Sequence, residues 1–464
     1  MEYTLSGDTF DKIFIDSILF FVGLLLGLLI VCKRFKGGIK YCLIIYTIIT
    51  FSVFNIFIKP VQDYLIPIPR TFIFYYKIFN SLSIYDIFLL VVIIPIMISF
   101  IINLKRQVSH IYKGILYVNY YINIILFLVG ITGSLIFVNV GGEVDWSVQI
   151  RAARGFLSGI LIMYSISYFV KKINSITDAK KIISTLSLII LINFLSEFIS
   201  SFYMQGISWE RGGHSVVFFD QTSALLIMVY LPCLLVPYKN LDKITKITSL
   251  IVVSLILYNY IKSSYFSSGI VLFLIGIGGF KYKFPKRVLY VYPFLSFAFI
   301  SYCLFFIFSS SEDAKQTRIG QFESYMKTVN QKPVAYIAGT GEGGLFERQT
   351  TTEDLGEIRA MDMENNETKQ HAFQIPVLSF FKKTGIIGII CVLWLFLYSL
   401  RKSFKLISAG WYFTSCAIFM SVTSLLNGCL MSNDPQGAFI WGTAYLYMHM
   451  GLFITGRKKP DTFL

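Results

Sequence analysis

At 464 residues, 55% hydrophobic and only 14% charged, with a mean hydropathy of +0.66, the chain is too apolar for a water-soluble fold, in which roughly a quarter of residues carry charge. Its formal charge of +15 does not call for nucleic acid, because the basic residues gather in short connections between apolar runs. The seven cysteines lie in or at the ends of those runs, which excludes a disulfide-stapled secreted domain.

Apolar runs recur along the whole chain, most of them long enough to cross a hydrocarbon core of roughly 30 Å. In chain order the expected spans are 13–32, 41–58, 85–103, 115–139, 156–170, 182–201, 217–237, 247–261, 265–280, 288–309, 384–400, 406–425 and 438–456. The predicted fold class is all-α: a polytopic membrane protein of about 12–13 transmembrane helices, with residues 1–464 forming a single transmembrane domain. The first run leads into "CKRFKGG" and not into a small-residue cleavage site, so it reads as a span and not as a cleaved signal.

Lys and Arg set the orientation. The connections "KRFKGGIK", "LKRQVSHIYKG", "KKINSITDAKK", "PYKNLDKITK", "KYKFPKR", "RKSFK" and the tail "RKKPDTFL" hold 24 of the 41 basic residues. They alternate with connections that hold few. The basic side is the cytoplasmic one, the C-terminus is inside, and the N-terminus is outside. Membrane lipid, attracted by this charge, is an expected partner.

The same topology places residues 310–383 outside, as one long loop holding 11 of the 26 acidic residues. Within it "TRIGQFESYMKTVNQKP" sets Ile319, Phe322, Tyr325 or Met326, and Val329 on one helical stripe, an amphipathic helix suited to the bilayer surface. The turn-rich "AGTGEGG" follows, with Gly339 and Gly341. It lacks the Lys-Ser/Thr of a nucleotide-binding loop, which favours a turn over a phosphate cradle. The segment closes on a histidine, His371, just before the chain re-enters the membrane.

Basic residues are rare at outer span ends, so those present are candidates for an anionic ligand. Arg151 and Arg154 lie three apart at one such end; Arg211 and His214 sit at the mouth of another, with Asp220 just inside. Lys262 lies in a short outer connection, and Arg318 on the amphipathic segment. The bland alternatives are snorkelling to lipid phosphates for the arginines and a structural turn partner for His214.

The order of Arg318, Pro333, Gly339, Gly341, Gly343, His371, Gly385 and Gly388, preceded by "RGGHSVVFFDQTSA" with Arg211 and Ala224, resembles the signature region of the O-antigen ligase/polymerase superfamily. The likeness covers roughly residues 200–400. The chain departs from the pattern in having Ala372 where Asn is usual, Lys383 where an acid is common, and no Arg in "SSYFSSG".

The resemblance implies a membrane glycosyltransferase of the bacterial inner membrane with its active site facing the periplasm. Its donor would be an undecaprenyl-diphosphate-linked oligosaccharide, with no nucleotide sugar, metal or other cofactor, and a chain-length regulator protein as a possible partner. His371 would be the catalytic base. Arg211, Arg318, Arg154, Arg151 and Lys262 would hold the diphosphate, supported by His214, Asp220, Gly339 and Gly341. Between polymerase and ligase, the abundance of Phe (44) and Tyr (29), with AT-rich codons, and the long acidic loop favour a polymerase. A flippase or transporter is the rival from another class; it would show duplicated halves and cations buried mid-span.

Overall fold

The computed structural model describes residues 7–53, 77–79, 82–83, 115–150, 175–203, 209–211, 214–216, 241–258, 293–302, 312–347, 369–370 and 376–408, with isolated positions between them. These are mostly helical. In chain order the elements are α1 (Gly7–Arg34), α2 (Gly37–Val53), β1 (Lys77–Phe79), β2 (Leu82–Ser83), α3 (Ile115–Asn139), α4 (Ile176–Tyr203), β3 (Trp209–Arg211), β4 (His214–Val216), α5 (Lys243–Tyr258), α6 (Glu312–Gln331), α7 (Val334–Ala338), β5 (Phe346–Glu347), β6 (Lys369–Gln370) and α8 (Pro376–Ser408). The strands form three two-stranded antiparallel ladders, β1–β2, β3–β4 and β5–β6.

Six expected spans (13–32, 41–58, 115–139, 182–201, 247–261 and 384–400) fall on described helices, and Pro293–Tyr302 lies inside the expected span 288–309. Two described segments are long and apolar enough to cross a membrane: Ser17–Arg34 in α1 and Thr177–Ser196 in α4. The expected spans 85–103, 156–170, 217–237, 265–280, 406–425 and 438–456 lie wholly or largely outside the described residues.

Four helices form one packing group. Gly27 of α1 meets Thr47 of α2, and Gly23 meets Phe51, so α1 and α2 run antiparallel at close range. The Arg34 guanidinium reaches Ser184 and Thr185 near the start of α4, whereas Ser196 donates to the carbonyl of Leu19 at 3.0 Å, so α4 is antiparallel to α1. α5 packs along α4 with Tyr258, its last residue, against Phe198, so these two run in the same direction. Lys33 to Lys40, Lys180 with Lys181, and Lys243 with Lys246 therefore share one end of the group.

In this group small polar residues share an apolar core, and large apolar residues also cover the outside. Thr47, Thr50, Thr185, Ser187, Asn193 and Ser249 are buried, while Phe14, Ile18, Phe21, Leu25 and Leu29 of α1 face outward. Thr47, Thr50 and Thr185 satisfy their hydroxyls by donating to carbonyls one turn back.

The second group is α3, α6, α7 and α8, and it holds the signature segment. Here one expectation needs correcting. The predicted apolar stripe of α6 is split. Tyr325 and Val329 are fully buried against Phe137 of α3, Ala335 of α7 and Phe346 of β5, but Ile319 and Phe322 remain exposed. The C-terminal half of α6 is thus docked on protein, with Tyr325 edge-on to Phe346 and Phe381 at 5.7 and 6.2 Å. α8 begins at Pro376 and turns at Gly385, where φ is +61°, so eight residues of helix precede the expected re-entry at 384–400.

Candidate functional site

The glycine turn 339–344 sits where α3, α7 and α8 meet. On α3, Gly130, Gly133 and Ser134 follow at helical spacing and make a shallow, small-residue face. A Cβ at Gly133 would lie 3.0 Å from the Gly339 carbonyl and collide with that of Ala338. Gly339 and Gly341 both have φ of +75°, where a side chain is strained. A Cβ on Gly339 would meet Lys382 O and Thr384 N at 2.6 Å, and one on Gly341 would strike Ser134 Oγ. The turn needs glycine for both reasons: its dihedrals and its proximity to neighbouring backbone.

Hydrogen bonds fix it on two sides. The connection after α3 lies antiparallel to the turn through a Val144–Gly344 bridge; Asp145 N donates to Gly343 O at 2.7 Å and Leu345 N to Glu143 O at 2.9 Å. Gln149 is buried beside it. Its Oε1 accepts from Gly343 N at 3.2 Å and from the Ser134 hydroxyl at 3.0 Å. On the α8 side, Thr340 N donates to Lys382 O at 2.6 Å. The amides of Gly339, Thr340, Gly343 and Leu345 all donate to protein acceptors, which makes this a rigid turn.

A buried charge cluster completes the site. The Lys382 ammonium, fully buried, donates to the Glu342 carbonyl at 2.8 Å, while Lys383 pairs with the Glu342 carboxylate at 2.7 Å. Burial pushes the Lys382 ammonium down to about 7; the Glu342 carboxylate opposes that shift and Lys383 adds to it. Lys383 thus has a counter-ion inside the glycine turn.

Of the residues singled out from sequence, Gly339 and Gly341 lie in this cluster. Arg318 is on α6, one to two turns before the docked half of that helix. Arg211 and His214 are direct cross-strand partners in the β3–β4 ladder, joined by Gly212 and Gly213. Arg151, Arg154, Asp220, Lys262 and His371 lie outside the described residues. The chain is nonetheless fixed up to the neighbour of His371: β6 ends at Gln370, paired with Phe346, two residues beyond the glycine turn. Likewise Asp145 caps the helix that starts at Trp146 and leads toward Arg151, accepting from Ser147 N at 2.8 Å.

Sequence reading missed Ser134, Gln149, Glu342 and Lys382. The spacing of Gly130, Gly133 and Ser134 was a usable signal for close helix contact; nothing local marked Gln149 or Lys382. Among the described residues, no three His, Cys, Asp or Glu side chains gather as metal ligands. Compared with known proteins, the chain matches no family model, no curated protein and no solved structure.

Proposed function

We propose that this chain is a multi-pass membrane glycosyltransferase that joins undecaprenyl-diphosphate-linked repeat units into a surface polysaccharide at the outer face of the bacterial inner membrane. The observation that carries the reading is the unity of the signature segment. The helix bearing Arg318, the glycine turn, the strand ending beside His371 and the Gly385 kink pack as one unit, although they are scattered over some seventy residues of sequence. The outward-facing apolar residues of the helices and the gathering of basic residues at one end support a membrane setting.

In this reaction the acceptor hydroxyl attacks the anomeric carbon of the donor. The new C–O bond forms as the bond to the diphosphate breaks, with inversion, and undecaprenyl diphosphate leaves. His371 takes the hydroxyl proton, which suits a side chain that titrates near neutrality. Arg211 and Arg318, helped by Arg154, Arg151 and Lys262, stabilise the charge on the departing diphosphate; Arg supplies a planar fork for its oxygens.

The test is deletion followed by electrophoresis of the surface glycan. Loss of a polymerase leaves single repeat units on the core, one step in place of a ladder. Bare core with long glycan still on undecaprenyl diphosphate would instead identify a ligase, and an unchanged ladder would refute both.

A further inference from the structure

We propose that the basic end of the α1/α2/α4/α5 group is a binding site for the phosphate of an acidic phospholipid, centred on Arg34 and Lys181. The inference rests on the membrane reading above but not on the glycan chemistry.

Two segments far apart in sequence build it. Arg34 Nη1 donates to Ser184 Oγ at 3.0 Å and to Thr185 Oγ1 at 3.1 Å. Both hydroxyls are buried, and both donate their own protons to the Lys181 carbonyl, at 3.1 and 2.8 Å, so they offer only lone pairs to the guanidinium. Arg34 is therefore oriented without being neutralised, and its remaining N–H groups are available to a second acceptor. Lys181 is held at the same place, its Nζ 5.0 Å from the centre of the Phe35 ring.

Among the described residues the local charge is uncompensated. Lys33, Lys36, Lys40 and Lys180 surround this pair, and Lys243 and Lys246 open α5 at the same end. The carboxylates of these described segments are occupied at their own helix starts. Asp178 accepts from the Ser175 hydroxyl at 2.7 Å, and Asp242 accepts from Thr245 N at 2.9 Å. Among the described residues no carboxylate pairs with Arg34 or Lys181.

What makes a lipid the fitting anion is the surface beside the cations. Leu25, Leu26 and Leu29 are exposed on α1, one to two turns before Lys33. These leucines share the Lys33 side of α1, so a lipid whose phosphate sits at this end would lay its acyl chains along the outward apolar face of the helix, whereas a free anion would use only the cations. A guanidinium fork with flanking ammonium groups matches a phosphodiester, and basic residues at the cytoplasmic leaflet attract acidic headgroups.

The experiment uses the full chain purified in detergent and titrated, under native mass spectrometry, with phosphatidylglycerol or phosphatidylcholine. Wild type should retain phosphatidylglycerol preferentially. The pair Lys36→Ala/Lys181→Ala should weaken that retention roughly tenfold to a hundredfold. The triple Arg401→Ala/Lys402→Ala/Lys405→Ala, which strips another basic connection, should keep it, and millimolar inorganic phosphate should not displace the lipid. Equal loss in both variants would show diffuse charge attraction and overturn the site, as would equal retention of the two lipids or displacement by free phosphate. Cell fractionation separates the two levels of failure. Recovery of the chain without membranes would sink the membrane reading itself; a membrane-bound chain with no lipid preference sinks only this site.

Discussion

Replacing Gly385 by alanine tests the packed glycine turn directly. The residue has φ of +61°, a conformation that costs an L-residue roughly 1–2 kcal/mol. Its added Cβ would also lie 2.6 Å from the Gly339 nitrogen and closer still to the Ile337 carbonyl. Both are main-chain atoms in a tightly bonded turn, so neither can rotate away, and overpacking of this kind costs roughly 1–3 kcal/mol. Against this, alanine restricts the unfolded chain and recovers roughly 0.4–1 kcal/mol. The net expectation for Gly385→Ala is a loss of roughly 1–5 kcal/mol. Gly320→Ala is the matched control. Gly320 lies within α6 with nothing within 4 Å of its would-be Cβ, so alanine there should stabilise by roughly 0.5–1 kcal/mol through helix preference. Both variants would be unfolded by denaturant in detergent and followed by tryptophan fluorescence. If Gly385→Ala matches wild type, or if Gly320→Ala loses as much, the close approach of α7 and α8 is wrong.

Lys383→Glu should destabilise by roughly 3–5 kcal/mol, since it sets two carboxylates together in a poorly solvated site; the swap Glu342→Lys/Lys383→Glu should recover part of the loss in the same unfolding assay. Lys382 releases its proton near pH 7 when folded but near its ordinary 10.5 when unfolded, so its burial lowers stability fully below about pH 7 and the penalty fades as pH rises toward 10.5. Unfolding free energy should rise with pH across that window by more in wild type than in Lys382→Met, and parallel slopes would refute the buried ammonium. In the glycan assay His371→Ala should abolish the ladder at unchanged protein level, and a near-normal ladder would remove it as the base. Arg211→Ala should impair polymerisation more than Arg211→Lys, and both more than Arg151→Ala; equal tolerance would count against Arg211 as a diphosphate ligand.

What was legible in the sequence follows physical range. Long apolar runs announce helices because each satisfies its own backbone, and the expected span 115–139 coincides with α3. The glycines of the turn were legible as a turn for the same local reason. Its partners were not. The Val144–Gly344 bridge joins residues two hundred apart, and no pattern in either segment anticipates the other. Lys382 looks from sequence like half of an interfacial basic pair after two phenylalanines, a place where lysine ordinarily snorkels. Only the folded turn shows that Lys382 points inward and Lys383 meets a carboxylate. The β3–β4 ladder had a local signal, two glycines between "WER" and "HSV", but strands of three residues beside an apolar run are easily overlooked. The stripe on α6 was read with the right period, yet period alone does not say whether lipid or protein covers it.

The arrangement also explains how a long, acidic segment can lie between a glycine turn and His371, the proposed base, without loosening the strands that flank it. The turn is locked by backbone to the connection after α3 and to α8, and β5 follows it after one residue, Leu345. β6 then pairs with β5, Phe346 opposite Gln370 and Glu347 opposite Lys369, so the chain is returned to the rigid platform one residue before His371. Everything from 348 to 368 is inserted between two strands that already face each other. The entropic cost of closing such an insertion grows only with the logarithm of its length, about 0.6 kcal/mol for each doubling. Its length and composition therefore bear little on the ladder, and the chain up to Gln370 is set by four paired residues and the glycines behind them.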